Sequence, residues 1–211
     1  MAFFTGEILT NFINTIATSL LIPVLIVLVI IVIWTLVEIG IIIAEYSKRN
    51  KLTDEQLDKI VDAISNAETT NQIEDVIRGS NLNKEYMDVL LKVLSGHRFS
   101  DNTMEAYSRK AIDSEEFALG RTLSRTDIIS RIGSGCGLLG TLIPLGPGLA
   151  SLGSGDIATL SAQLIIAFNT TTVGLASSLI AYIMGKIRRS WYEEDMATVY
   201  VIAEAIAEKK L

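Results

Sequence analysis

The chain has 211 residues, and at 49% hydrophobic and 20% charged residues its mean hydropathy is +0.41, which is too high for an ordinary water-soluble domain. The net charge of −6 argues against nucleic acid as a partner, and the length excludes a secondary transporter of ten or twelve spans. A single cysteine, Cys136, excludes a disulfide framework and a cysteine zinc site, and a single histidine, His97, argues against a histidine metal cluster or a Ser-His-Asp triad. We therefore expect a non-enzymatic membrane protein without cofactor or metal.

The N-terminal segment, residues 1–19, carries apolar side chains at helical spacing, and the apolar run that follows it is long enough to cross a bilayer. Phe4, Ile8, Phe12, Ile13 and Ile16 share one face, which predicts either an amphipathic helix in the outer interface or an extension of the first span. Residues 20–45 form the first predicted transmembrane helix, because about 25 residues at 1.5 Å each reach roughly 37 Å. Near its cytoplasmic end, Glu38 is expected to snorkel or to pair with a basic neighbour.

Residues 46–127 predict a helical cytoplasmic domain. Thr53 and Gln56 make a capping box before one amphipathic segment, and Gly79–Asn83 is a predicted break before a second helix that ends at Gly96. A third helix is expected over Met104–Ile129. The charged side chains of this domain are interpreted as a solvated face, and His97 as a loop residue.

Residues 128–152 and 157–185 predict a second and a third transmembrane helix, joined by the tight turn Gly153–Asp156. The helical pattern continues through residues 186–211. A proline-free helix over residues 157–209 would be about 80 Å long, so its second half is expected in the cytoplasm, packed on the Met104–Ile129 helix.

The basic residues predict the orientation. Twelve of the 18 Lys and Arg lie between Lys48 and Arg125, and the other six lie at Arg131 and from Lys186 onward. Because none lies in residues 1–19 or in the Gly153–Asp156 turn, the positive-inside rule places both outside and the C-terminus in the cytoplasm. The predicted fold class is thus an all-α membrane protein with three transmembrane helices and a helical cytoplasmic domain.

Small residues in the second and third spans predict close helix packing. Gly133, Gly137 and Gly140 on the second span, with Gly174 on the third, would let backbones approach in lipid, and we expect this surface to be buried between subunits. Pro144 and Pro147 are expected to kink the second helix or to end its regular hydrogen bonding. The spacing of Gly135–Gly140 also resembles a phosphate-binding loop, but Thr141 stands where the lysine is required.

Polar side chains collect in the third span, including Asn169, Thr171 and Ser178. A helix facing only lipid would not gather so many amides and hydroxyls, so we interpret them, with Thr141 across the hairpin, as lining a polar path or central pore. The alternative for any single threonine is a hydrogen bond back to its own helix.

Two motifs in the hairpin resemble those of the MotA/TolQ/ExbB proton-channel family. Residues 137–141 read GLLGT, and Ala167, Thr171, Gly174 and Leu175 follow the spacing of the family's motif in the next span. The order of elements is similar to the TolQ/ExbB branch, whereas MotA-type members have a fourth span.

The resemblance implies a homopentameric ring in the cytoplasmic (inner) membrane around a dimer of an ExbD/TolR/MotB-like partner. That partner has a single span with an ion-binding aspartate, and flow of protons or sodium ions through it is thought to rotate the ring. Thr141 and Thr171 would line the ion path beside the aspartate. The chain departs from the TolQ/ExbB pattern at two positions: Ile166 stands where that branch has glutamate, and Ile180 stands where it has proline.

Two other classes of function fit the same spans. One is a passive oligomeric scaffold that anchors a partner without ion flow, and the other is a simple channel formed by this chain alone. Association with a single-span protein that carries a mid-membrane aspartate separates the motor from both.

Overall fold

The computed structural model describes residues 2–209, with side chains described for residues 7–100 and 102–209. Every regular element in that range is a helix, and three helical segments are long and apolar enough to cross a membrane, which confirms the predicted all-α membrane fold. Phe4 and the outermost predicted residues, Met1, Lys210 and Leu211, lie outside these described side chains. The helices are α1 (Ala2–Ser19), α2 (Leu21–Lys48), α3 (Asp54–Asn66), α4 (Thr70–Gly79), α5 (Lys84–Ser95), a 3₁₀ turn (Gly96–Arg98), α6 (Asp101–Gly153) and α7 (Ile157–Glu208).

The chain divides into two compact units. The first, here called the membrane unit, comprises residues 1–42 and 125–185, and the second, here called the helical unit, comprises residues 43–124 and 186–211. Helices α2, α6 and α7 contribute residues to both units.

In the membrane unit, α1 and α2 are separated only by Leu20. The backbone N–H of Leu20 donates to the Ile16 carbonyl at 3.2 Å, and that of Val24 donates to the Leu20 carbonyl at 3.0 Å. The interruption lies one turn before Pro23, whose ring has no N–H for the Ser19 carbonyl and crowds it. This near-continuity favours the extension of the first span, and an interfacial position for α1 stays a prediction.

Helix α2 packs on one side of the α6–α7 hairpin through two apolar clusters. Val24 and Leu28 contact Cys136, and Ile31 packs with Ile129 and Met184. The outward side of α2 exposes large apolar residues such as Ile22, at 68% exposure, as expected for a helix surrounded by lipid.

The burial of Glu38 on α2 contradicts one of the two expectations for this residue, and pairing with a basic neighbour stays a prediction. Only 1% of Glu38 is exposed, so it lies inside the protein and does not snorkel to the membrane surface. Thr35, one turn earlier, is also buried and donates to the Ile31 carbonyl at 2.7 Å. The inward face of α2 is therefore polar around Thr35 and Glu38. The predominantly apolar sequence of the helix did not predict this.

The helical unit contains one more helix than the sequence predicted. Helix α4 begins after Thr69, whose backbone N–H donates to Gln72 in a capping box, just as Thr53 and Gln56 cap α3. The predicted break at Gly79–Asn83 separates α4 from α5, and the predicted loop after Gly96 is shorter than expected because α6 begins at Asp101.

One apolar core joins α3, α4, α5, the first part of α6 and the last part of α7. Its buried residues include Ile64, Ile77, Leu90, Ile112 and Ile202. This confirms the expected packing of the C-terminal helix on the helix that begins near Met104. His97 lies in the 3₁₀ turn, where its Nε2 is 2.9 Å from the Ile206 carbonyl oxygen.

Helix α6 continues through both prolines to Gly153. Pro144 and Pro147 therefore do not end the helix, and the expected kink or local loss of regular hydrogen bonding stays a prediction. A proline removes one hydrogen bond, but in hydrocarbon every alternative to a helix leaves more backbone groups without partners. The turn then forms at Gly155, whose φ of +77° favours glycine, and the Asp156 side chain accepts the backbone N–H of Thr159 at 3.0 Å as α7 begins.

Candidate ion path in the transmembrane hairpin

The two helices of the hairpin meet backbone to backbone at glycines. A methyl group added to Gly174 would lie 2.6 Å from the Gly133 carbonyl oxygen and 2.7 Å from the Gly137 Cα. One turn further, a methyl group on Gly140 would lie 2.6 Å from the Thr170 Cβ. The close approach is therefore made within one chain, between α6 and α7.

This approach brings Thr141 and Thr171 together. Their hydroxyls hydrogen-bond each other, and each also lies 3.0 Å from the Gly137 carbonyl oxygen, to which it can donate. Both side chains are half-buried. Because two hydroxyls hold only two protons, the three oxygens have unused lone pairs and can accept a further proton donor or coordinate a cation.

The oxygen cluster, defined as the Thr141 and Thr171 hydroxyls with the Gly137 carbonyl, lies away from the α2 side of the hairpin. Cys136 on α6 contacts α2, and Thr141 lies about 140° further round the same helix. Exposed apolar side chains flank the cluster, with Leu138 at 61% exposure and Phe168 at 65%. The cluster is thus a polar spot within an apolar rim, on a surface that the described side chains of the membrane unit leave partly exposed.

Two further residues were predicted to line the path. Ser178 lies on the same side of α7 as Thr171, and Asn169 does not. Ser178 is two turns from Thr171 and donates to the Ser130 carbonyl at 2.6 Å. Asn169 is exposed and lies about 200° round α7 from Thr171. Helical geometry thus separates Asn169 from the oxygen cluster, although the two residues are near neighbours in sequence.

The spanning parts of the hairpin carry very few charges. Among residues 125–185, the acidic residues are Asp127 near the start and Asp156 in the turn. Ile166 is half-buried and its carbonyl accepts the Thr170 hydroxyl at 2.9 Å, while Ile180 is 39% exposed. Residues 125–185 therefore supply no carboxylate at the level of the oxygen cluster.

The sequence pointed to the threonines but not to the Gly137 carbonyl. The glycine was interpreted only as a packing residue, yet its missing side chain is what lets the Thr171 hydroxyl reach a carbonyl of the opposite helix at 3.0 Å. One sequence signal could have indicated the role of the Gly137 carbonyl. The glycine lies one turn before one threonine and faces a second threonine across the hairpin.

The helical unit holds a second polar network that the sequence did not predict. Arg188 is fully buried and its Nε donates to Glu45 at 2.8 Å, and the Tyr192 hydroxyl donates to the same carboxylate at 2.5 Å. Beside it, Arg49 bonds Asp195 at 2.7 Å. Arg49 is therefore an exception to the expected solvated face, because only 14% of its side chain is exposed.

Tyr86 also donates to Asp195, at 3.3 Å. Burial, and then the negative charge of Asp195, raise the pKa of the Tyr86 hydroxyl, so it stays protonated and available as a donor.

Three membrane-spanning helices, a hairpin closed by glycines and a half-buried cluster of oxygens define a multi-pass membrane protein of the channel type. The chain belongs to the MotA/TolQ/ExbB proton channel family, whose family model matches residues 47–200. A comparison with curated proteins finds no match.

Proposed function

We propose that this protein is the ion-conducting ring subunit of a membrane motor driven by an ion-motive force. The observation that carries the proposal is the cluster formed by the Thr141 and Thr171 hydroxyls and the Gly137 carbonyl, at membrane depth in a protein of a proton channel family. Polar groups at membrane depth usually face a protein interior or a water-filled cavity and mark a functional site. The location we propose is the cytoplasmic (inner) membrane.

The cluster suits a transferred ion because its oxygens are good acceptors and carry no charge. A protonated carboxyl group can donate to a hydroxyl oxygen, and a sodium ion can be coordinated by hydroxyl and carbonyl oxygens. Since the hairpin has no carboxylate at this level, we propose that the titrating group is the aspartate of an ExbD/TolR/MotB-like single-span partner, present as a dimer. The apolar rim around Leu138 and Phe168 offers a surface for that partner's apolar helix.

We propose a homopentamer as the ring. The glycine surface that the sequence suggested for contacts between subunits is used within the chain, because Gly133, Gly137 and Gly140 face α7 of their own chain. Of the small residues on α6, Gly135 and Gly146 lie where an added methyl group meets no atom within 4 Å. Substitutions at Gly137, such as Gly137→Leu, would therefore disturb the hairpin first and assembly as a consequence.

Replacing both cluster threonines with valine tests the ion path. Valine keeps the side-chain shape, so we expect Thr141→Val and Thr171→Val each to leave the oligomer assembled and to lower ion-driven activity about tenfold, the loss of roughly one charge-assisted hydrogen bond. The double variant should lose little more than either single one, because both hydroxyls serve one site. The measurement is ion flux in membranes with an imposed proton or sodium gradient, in the presence of the partner.

Thr170→Val is the matched control. The Thr170 hydroxyl donates to carbonyls of its own helix, Ile166 at 2.9 Å and Ala167 at 3.0 Å, so its loss should leave flux within about twofold of wild type. Full flux in the Thr141/Thr171 double variant would overturn the ion path and favour the passive scaffold. Equal losses at Thr170 and Thr171 would indicate a packing role for all three.

Cysteine labelling tests the orientation. Ser154 in the turn and Asn81 between α4 and α5 are both exposed, so neither Ser154→Cys nor Asn81→Cys should disturb packing. In a Cys136→Ser background, we expect a membrane-impermeant thiol reagent added outside to label Ser154→Cys and to reach Asn81→Cys only after the membrane is opened, since the basic residues favour the cytoplasm. The reverse labelling would contradict the arrangement.

A further inference from the structure

The solvent face of α6 in the helical unit carries an aromatic residue without cover. Phe117 is 74% exposed, more than any other large apolar residue among the described side chains. Lys110 and Arg121 lie on the same stripe of the helix, within about 40° of Phe117. A shallow groove of about 800 Å³ runs along this face, and all its lining residues belong to α6, so it lacks a second wall. We call Lys110, Phe117 and Arg121 the α6 stripe.

Neither cation of the α6 stripe forms an ion pair within the part of the chain that the structure describes. Among the described residues, the ion pairs of α6 include Glu105 with Arg109 at 3.2 Å, but Lys110 and Arg121 form none. Two cations that flank an exposed aromatic ring resemble the central part of a protein interface, where aromatic anchors combine with charges that select the partner.

Helix α3 of the same unit presents a face of opposite charge. It carries four acidic residues and one basic residue, and Asp54, Asp58 and Asp62 recur every fourth residue on one exposed side. Val61, half-buried, lies among them, while Leu57 and Ile60 pack into the core. We call Asp54, Asp58, Val61 and Asp62 the α3 stripe.

We propose that the α6 stripe of one subunit docks on the α3 stripe of a second copy of this chain, with Phe117 placed against Val61 between the opposite charges. The proposal rests on the ring assembly proposed above. The two stripes match in length, since Asp54 to Asp62 covers about 12 Å of helix and Lys110 to Arg121 about 16 Å. They also match in sign, with acidic residues on α3 facing Lys110 and Arg121.

Two different surfaces make this contact heterologous, which is the kind of contact that a ring requires. When surface A of one copy binds surface B of the next, the assembly closes into a ring if the rotation permits. A contact of the α6 stripe with itself would instead bring like charges together and stop at a dimer. Charge complementarity therefore favours a contact between the α6 stripe of one copy and the α3 stripe of the next.

Disulfide formation between two tagged chains tests the contact in the full-length protein. In a Cys136→Ser background, one chain carries Val61→Cys and the other Phe117→Cys, and both are expressed together and oxidised in membranes. We expect a covalent dimer that contains both tags, and a ladder up to the full ring when one chain carries both substitutions. Lys59→Cys, also exposed but on another side of α3, is the control that should not join to Phe117→Cys.

Charge reversal supplies a second test that does not depend on cysteine geometry. Lys110→Glu with Arg121→Glu should lower the yield of intact ring about fivefold, and Asp58→Lys with Asp62→Lys should do the same, because each brings like charges together. A chain with all four substitutions has both stripes reversed and should recover the ring yield to within about twofold of wild type.

The outcomes separate this proposal from the ring itself. A wild-type protein that is monomeric by mass in mild detergent would overturn the proposed ring assembly. An intact ring that gives no Val61–Phe117 dimer, or in which the fourfold variant is no better than its parents, would overturn only the docking of the two stripes. Covalent dimers of Phe117→Cys with itself, or with another protein in place of a second copy, would also overturn it.

Discussion

Replacing Gly174 with alanine is expected to lower the melting temperature of the protein in detergent by about 10 °C. The new methyl group would lie 2.6 Å from the Gly133 carbonyl oxygen and 2.7 Å from the Gly137 Cα, both backbone atoms that no side-chain rotation can move. The helices must separate along the hairpin, and overpacking of this kind costs roughly 3 kcal/mol, which corresponds to that shift for a chain of this size. Thermal unfolding followed by circular dichroism measures it.

Gly135→Ala is the matched control on the facing helix. Its methyl group would meet no atom within 4 Å, and alanine is the better helix former by about 1 kcal/mol, so stability should equal or exceed that of wild type. If Gly174→Ala were as stable as Gly135→Ala, the close backbone approach would not exist. The helix separation that Gly174→Ala causes would also move Thr171 away from Gly137, so ion-driven activity should fall together with stability.

The elements that follow from local sequence were predictable. The three apolar spans, the turn at Gly153–Asp156 and the unbroken helix beyond residue 157 are set by length, glycine and the absence of proline, and the structure has them all. The approach of Thr141 to Thr171 also followed, because they lie 12 residues before the end of α6 and 14 residues after the start of α7, which gives them a similar depth on the two arms of a tight hairpin. Helix α4 was missed because its apolar pattern is short, with Ile73 and Ile77 as its buried residues.

Features that depend on tertiary contacts were not predictable from sequence patterns. Asn169 was grouped with Thr171 by composition, yet rotation along α7 places it on another side of the helix. Glu38 was expected near the cytoplasmic end of the first span and Arg188 in the cytoplasmic C-terminal helix, and only the fold reveals that both are buried. The burial of a charged side chain cannot be predicted from the spacing of apolar residues, because the groups that surround and pair with it come from distant segments of the chain.

The proposed mechanism is consistent with the distribution of charged residues in the hairpin. In that proposal the hairpin would keep neutral oxygens at the ion path and leave the titrating group to a partner, so each subunit of a ring would offer the same acceptor site to a moving carboxyl group. Ile166, which stands where the TolQ/ExbB branch has glutamate, adds no charge to the hairpin. The substitution of isoleucine at this position is therefore compatible with an ion path made of hydroxyls and carbonyls.

Removing the Glu45 carboxylate is expected to destabilise the helical unit strongly. Arg188 is fully buried and donates to Glu45 at 2.8 Å, and Glu45→Ala would leave its guanidinium without this carboxylate in a site from which water is excluded. Breaking a buried ion pair on one side costs about 3–5 kcal/mol. Glu45→Gln keeps an acceptor and should cost less, while Tyr192→Phe, which removes one donor to Glu45, should cost about 1 kcal/mol.

An exposed pair of the same residue types and the same length provides the control. Arg78 and Glu74 on α4 are also 2.8 Å apart, but their side chains are 61% and 41% exposed, so Glu74→Ala should cost no more than about 0.5 kcal/mol. Denaturant unfolding of the full-length protein in detergent, followed by circular dichroism, compares the two substitutions directly. Similar losses for Glu45→Ala and Glu74→Ala would mean that water reaches Arg188, and the buried network would then have no role in holding α2 and α7 together in the helical unit.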